Sequence, residues 1–99
     1  MRLEFHPEAL AEYEFAVTYY EQHQVGLGNR FIASVEYALQ SILTAPMTWP
    51  ILDQDVRRRL TRVFPYAVLY SVERDYVLVL AVMHCHQQPG YWRSRVSAT

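Results

Sequence analysis

The run Tyr76-Val77-Leu78-Val79-Leu80-Ala81-Val82-Met83 carries no charged side chain. A strand sends alternate residues to opposite faces, so an apolar residue at every position predicts a central strand covered on both sides. The run continues through His84-Cys85-His86, and the predicted strand spans Tyr76–His86. Glu73-Arg74-Asp75 forms a short charged turn before it, and Tyr66–Val72 has strand composition, so the two pair as a hairpin. Arg57–Phe64 reads as a further strand, with Pro65 allowing only a tight corner after it. These three segments predict an antiparallel meander.

Upstream the period changes. Residues 46–56, with Pro46, Pro50, Asp53 and Asp55, read as a loop. Before it, Phe31, Val35, Ala38 and Ile42 mark a helical stripe that Ile32 and Leu39 widen, and Ala45-Pro46 ends the helix. Leu10, Tyr13, Val17 and Tyr20 mark an earlier helix that starts at His6-Pro7-Glu8 and stops near His23. Val25-Gly26-Leu27-Gly28 breaks the two, and so short a turn predicts an antiparallel helix hairpin. Leu3-Glu4-Phe5 alternates and reads as a first strand. The predicted fold is α+β: an N-terminal strand, an antiparallel helix hairpin, then a three-stranded antiparallel meander. The helix hairpin covers one face of the central strand. The C-terminal segment or a second protein covers the other.

Ninety-nine residues set one domain, 1–99, with no linker or repeat. Hydrophobic residues are 52% and charged residues 19%, which excludes a disordered chain and favours a partner for surplus apolar surface. Cys85 is the single cysteine, so no internal disulfide forms. The start, Met1-Arg2-Leu3-Glu4, lacks the pattern of an export signal and no stretch is long enough to span a bilayer, so the expected location is cytoplasmic, with no membrane partner.

The net charge of −1 hides an asymmetry. Over residues 1–55, Arg2 and Arg30 stand against eight acids, a net −6; over 56–99, seven arginines stand against Glu73 and Asp75, a net +5. A basic half in a near-neutral chain suggests a local anionic partner. Four of those arginines cluster at Arg57, Arg58, Arg59 and Arg62. Strand alternation puts Arg58 and Arg62 on one face and Arg57 and Arg59 on the other. Guanidinium groups present paired donors and keep their charge, so they suit phosphates or the acids of a protein partner. The same cluster also serves as charge protection of an edge strand.

His84 and His86 share a face, with Cys85 opposite and expected to be a buried small residue. Two histidines do not complete a metal site, and no metal or cofactor is expected. His84 has the chemistry of a general acid or base, or satisfies backbone groups where the strand ends. Tyr91 and Trp92, next to Arg93, either stack a base or cap the open face of the sheet. No serine nucleophile arrangement, glycine-rich phosphate loop or cysteine–zinc pattern is present.

Six short pieces, in this order and spacing, resemble toxins of the RelE/ParE superfamily over about 90 residues, and the ParE-like branch most. They are Phe5-His6-Pro7-Glu8-Ala9, Tyr19-Tyr20-Glu21, Gly26-Leu27-Gly28-Asn29-Arg30-Phe31, Ile42-Leu43-Thr44-Ala45-Pro46, Arg62-Val63-Phe64-Pro65-Tyr66 and Leu80-Ala81-Val82-Met83-His84. The resemblance implies a type II toxin–antitoxin module in which a cognate antitoxin wraps the toxin. It implies contacts from that partner to Arg57, Arg58, Arg59, Arg62, Tyr91 and Trp92. ParE-like members block DNA gyrase without chemistry of their own. RelE-like members cut messenger RNA on the ribosome, for which the candidates here are Arg59, Arg62, His84 and Tyr91. The segment His86-Gln87-Gln88-Pro89 departs from the arginines common in the subgroup and lowers the ribonuclease reading. A third reading is a domain without toxicity that serves as a binding module in a repressor complex.

Overall fold

The computed structural model describes residues 1–96. The elements are β1 (Arg2–Phe5), α1 (Pro7–His23), α2 (Leu27–Thr44), β2 (Ile51–Asp53), β3 (Val56–Leu60), β4 (Tyr66–Val72) and β5 (Tyr76–His84), followed by a short 3-10 turn at Arg93–Arg95. The α+β order read from the sequence stands. One strand is added to it: β2 lies within the segment expected to be a loop and pairs antiparallel with β3. Three residues after Pro50 are too few to show a period of two. The predicted strands are also trimmed, because β3 stops at Leu60 and β5 at His84.

The sheet order is β1-β5-β4-β3-β2, so β5 lies inside the sheet. β1 runs parallel to β5, while β2, β3, β4 and β5 pair antiparallel in sequence order. The parallel pair is possible because both helices lie between β1 and the rest of the sheet in the chain.

Local chemistry sets the hairpin. His6 Nδ1 accepts the Glu8 N–H at 3.1 Å, with Pro7 in the first turn of α1. At the other end of α1, the Glu21 carboxylate accepts N–H bonds from Gly26 at 3.0 Å and Gly28 at 2.9 Å. An acid from one helix thus caps the positive end of the next. Gly26 reverses the chain at φ +89, where a Cβ is unfavourable. Gly28 is buried, and a Cβ there would lie 3.0 Å from Glu21 Cβ and from the Val17 carbonyl oxygen, so the helices approach closely at that point.

The helices bury Phe31, Val35, Ala38 and Ile42 against Val68, Tyr70, Val77, Val79 and Val82 of the sheet. Each large side chain removed from water there contributes about 1.5–3 kcal/mol. A second, smaller core forms on the far face from Val56, Ala67, Leu69, Leu80, Ala81 and Trp92. The C-terminal segment supplies that cover. Trp92 is 2% exposed, so the capping alternative for this residue describes its position.

The two cores share β5 through a bulge. Leu69 pairs with Ala81 and Tyr70 with Val79, which leaves Leu80 as the extra residue. Leu80 and Ala81 therefore both face the second core, while Val79 and Val82 face the helices. The bulge shifts the alternation and turns Val82 and His84 toward α1. Among the described residues no helix is long and apolar enough to cross a membrane.

Candidate functional site

The arginine cluster is divided three ways. Arg57 points to the helix side and donates Nη1 bonds to the carbonyls of Met47 at 3.1 Å and Trp49 at 2.7 Å. It holds the loop between α2 and β2, together with the Tyr70 hydroxyl, which donates to the Pro46 carbonyl at 2.6 Å. Burial pushes the Tyr70 pKa up to about 12, with Arg57 and Arg59 pulling partly the other way. Arg58 is exposed on the opposite face, in a groove with Asp53, Met83, Cys85, Trp92 and Arg93. Arg93 there pairs with Asp53 at 2.8 Å.

Arg59 and Arg62 line a third place, between the C-terminal half of α2 and β3. The Arg59 guanidinium lies 4.0 Å above the Trp49 ring and its Nε donates to Ser41 Oγ at 3.1 Å. The Arg62 guanidinium lies 4.3 Å above the Tyr37 ring and its Nη2 donates to Tyr37 Oη at 2.9 Å. Both stack on a π face that favours a cation. This corrects the expected pairing of Arg58 with Arg62. Alternation ends with β3 at Leu60, and the turn that follows swings Arg62 back over α2.

His84, Tyr66 and Tyr91 line a separate cleft with Glu8, Glu12, Phe15 and Arg95, between α1 and β5. His84 Nδ1 accepts the His86 N–H at 3.0 Å, and its ring meets Tyr66 edge to face at 5.2 Å. The Tyr91 hydroxyl donates to Glu12 Oε2 at 2.7 Å. Burial raises the Tyr91 pKa well above 10.0, and the hydrogen bond and negative charge of Glu12 raise it further. Cys85 is exposed rather than buried, because it lies past the end of β5 in the following turn. No group of three or more His, Cys, Asp or Glu side chains is arranged to hold a metal among the described residues.

Glu12 and Arg95 organise this cleft; the sequence offered Glu12 only as an acid near the positive end of α1 and gave no sign of its pairing with Arg95. β1 pairs with β5 only as far as Val79. Beyond it, Arg95 Nη1 donates to the Leu80 carbonyl at 3.0 Å and Glu12 Oε1 accepts the Val82 N–H at 3.0 Å. The two side chains take the place of a missing strand, and they pair with each other through Arg95 Nη1–Glu12 Oε1 and Nη2–Glu12 Oε2, each at 3.0 Å. The Arg95 side chain is 8% exposed. Burial alone would lower its pKa, but hydrogen bonding and charge from Glu12 raise it on balance. The partners are 83 positions apart, so no local spacing marks them.

The comparisons agree with this architecture. Among solved structures, the chain is similar to one described as a chromosomal ParDE TA system from P. aeruginosa, with a TM-score of 0.62 at 13% identity, covering 85% of this chain and 95% of that one. At that identity the likeness speaks to the fold. A search of curated proteins returns no match. The family profile described as the ParE toxin of type II toxin-antitoxin system, parDE, matches residues 3–89. With that match spanning most of its length, the chain belongs to the ParE toxin family of type II toxin–antitoxin systems.

Proposed function

We propose that this toxin-family chain is neutralised by a cognate antitoxin and, when free, inhibits DNA gyrase without performing chemistry. The observation that carries the second part is the separation of the four residues that a ribonuclease would need. Arg59 and Arg62 line the α2–β3 groove, whereas His84 and Tyr91 line the α1–β5 cleft, and the two share no lining residue. Cleavage of a phosphodiester by 2′-hydroxyl attack requires charge stabilisation and proton transfer around one phosphorus. A tyrosine with a raised pKa, donating to a carboxylate, is a poor base near neutrality. This favours gyrase inhibition over messenger-RNA cleavage and a direct ribosome contact.

The antitoxin side rests on family membership and on free cationic surface. Arg58, Arg59 and Arg62 make no salt bridge within the described residues. Arg57 is engaged with loop carbonyls and Trp92 is buried, so of the six expected partner contacts these two have the least to offer a partner. Tyr91 remains partly open beside the α1–β5 cleft. The test is expression of the chain alone and with the open reading frame beside its gene. Growth arrest relieved by the neighbour supports the reading. Growth unaffected by the chain alone favours the non-toxic binding module instead.

A further inference from the structure

The groove between α2 and β3 has features that packing alone does not explain. It is lined by Tyr37, Ser41, Thr44, Trp49, Arg59 and Arg62. Two guanidinium groups converge there with no carboxylate paired to either among the described residues. Placing two like charges in one groove is unfavourable unless an anion joins them. Each is braced by an aromatic ring, and each makes one side-chain hydrogen bond among the described residues, so paired donors remain on both.

The groove wall is held by strained backbone. The Phe64 N–H donates to the Arg62 carbonyl and the Tyr66 N–H to the Phe64 carbonyl, both at 2.8 Å, giving two successive three-residue turns. Val63, at the centre of the first, has φ +75 and is 87% exposed. A β-branched residue is strained in the left-handed region, where its Cβ crowds the following carbonyl. Ser34 Oγ donates to the Arg62 carbonyl at 2.6 Å and fastens this turn to α2. The strain sets Arg62 over Tyr37 while the valine projects to solvent. Strain of this kind persists where the surroundings over-determine it, often at binding sites. In the groove lining, Trp49 Nε1 is also the one buried side-chain polar atom without a hydrogen-bond partner among the described residues. A buried donor left without an acceptor is unfavourable, and an acceptor entering the groove would relieve it.

We infer that this groove is an acid-recognition site that takes Asp or Glu side chains of an extended acidic segment of the neutralising partner, clamped between Arg59 and Arg62. It rests on the toxin–antitoxin reading and gives that partner a chemistry and a place. A peptide is favoured over a nucleic-acid strand because a guanidinium already occupies one stacking face of each of the two rings. The exposed Val63 beside Arg62 also offers apolar contact that a phosphate backbone does not use. Arg57 and Arg58 lie outside the clamp.

The test is titration of the full chain, at low ionic strength, with a hexaglutamate peptide, reading the indole N–H resonance of Trp49 by NMR and assigning it with W49F. The expected result is a saturable shift that weakens at least about tenfold in Kd in R59Q/R62Q, and by less than about twofold in R74Q, which removes one exposed charge in the turn between β4 and β5. Because Arg59 and Arg62 also brace the fold, R59K/R62K is measured beside them. It keeps charge and loses the planar fork, so an intermediate loss is expected. A shift unchanged in R59Q/R62Q, or no shift at all, overturns the proposal. Tighter binding of a single-stranded DNA of matched charge overturns it in favour of a nucleic-acid groove. Failure of the toxin–antitoxin reading itself appears elsewhere, as normal growth when the chain is expressed alone.

Discussion

Replacing Glu12 with alanine tests how the C-terminal segment is locked to the sheet. The carboxylate accepts from the Val82 N–H at 3.0 Å, the Tyr91 hydroxyl at 2.7 Å, and Arg95 Nη1 and Nη2 at 3.0 Å each. Its removal leaves a nearly buried guanidinium without its main counter-charge. Glu8 Oε1, at 3.9 Å from Arg95 Nη2 and largely exposed, is too distant to replace it. Removing one partner of a buried pair costs about 3–5 kcal/mol. The Glu12 side chain is 24% exposed, so water recovers part of the loss. That brings the expectation to about 2–3 kcal/mol, or a fall in Tm of about 10–20 °C for a domain of this size. Thermal and urea unfolding followed by circular dichroism measures it. R95A and E12A/R95A complete a double-mutant cycle, in which the double variant should lose clearly less than the two single losses together. A Tm within about 2 °C of wild type in E12A, or strict additivity in the cycle, would refute the claim that this pair holds the tail in place.

Three further outcomes follow from named geometry. Gly28→Ala puts a Cβ 3.0 Å from the Val17 carbonyl oxygen and from Glu21 Cβ, so it should destabilise by about 1–3 kcal/mol and loosen the hairpin, read as a lower urea midpoint. Val63→Gly relieves a left-handed β-branched residue, so stability should rise by up to about 1 kcal/mol while acidic-peptide binding weakens as the turn relaxes. Alkaline pH should unfold the domain early. Tyr70 has its pKa raised from 10.0 to about 12 in the folded state, so the folded form holds the proton more tightly. Its contribution is complete below the unfolded value and is lost as pH rises through about 12, and Tyr91 and Tyr13, also raised by burial, act in the same direction. Urea midpoints should hold to about pH 10 and then fall, with a smaller fall in Tyr70→Phe; a flat profile would contradict this.

The sequence was legible where periodicity is long. The eight-residue apolar run at 76–83 placed a covered central strand, and the stripe at Phe31, Val35, Ala38 and Ile42 placed the face of α2 that packs on it. Legibility fails where chemistry depends on contacts across the chain. β2 is three residues long and gains its identity only by pairing with β3. The bulge at Leu80 leaves no compositional trace, yet it decides that Val82 and His84 face α1. Arg62 lies beyond the end of its strand, so alternation assigned it to the wrong side. Glu12 reads in the chain only as an acid in the early part of α1, and it becomes the partner of Arg95 only after the tail folds back.

The most direct measurement of the central claim is a supercoiling assay with purified gyrase, run in parallel with a ribosome-dependent messenger-RNA cleavage assay. The free chain is expected to inhibit supercoiling, leave messenger RNA intact, and lose its effect when a cognate antitoxin is added. Messenger-RNA cleavage that disappears in Arg62→Ala, with supercoiling unaffected by the wild-type chain, would contradict it.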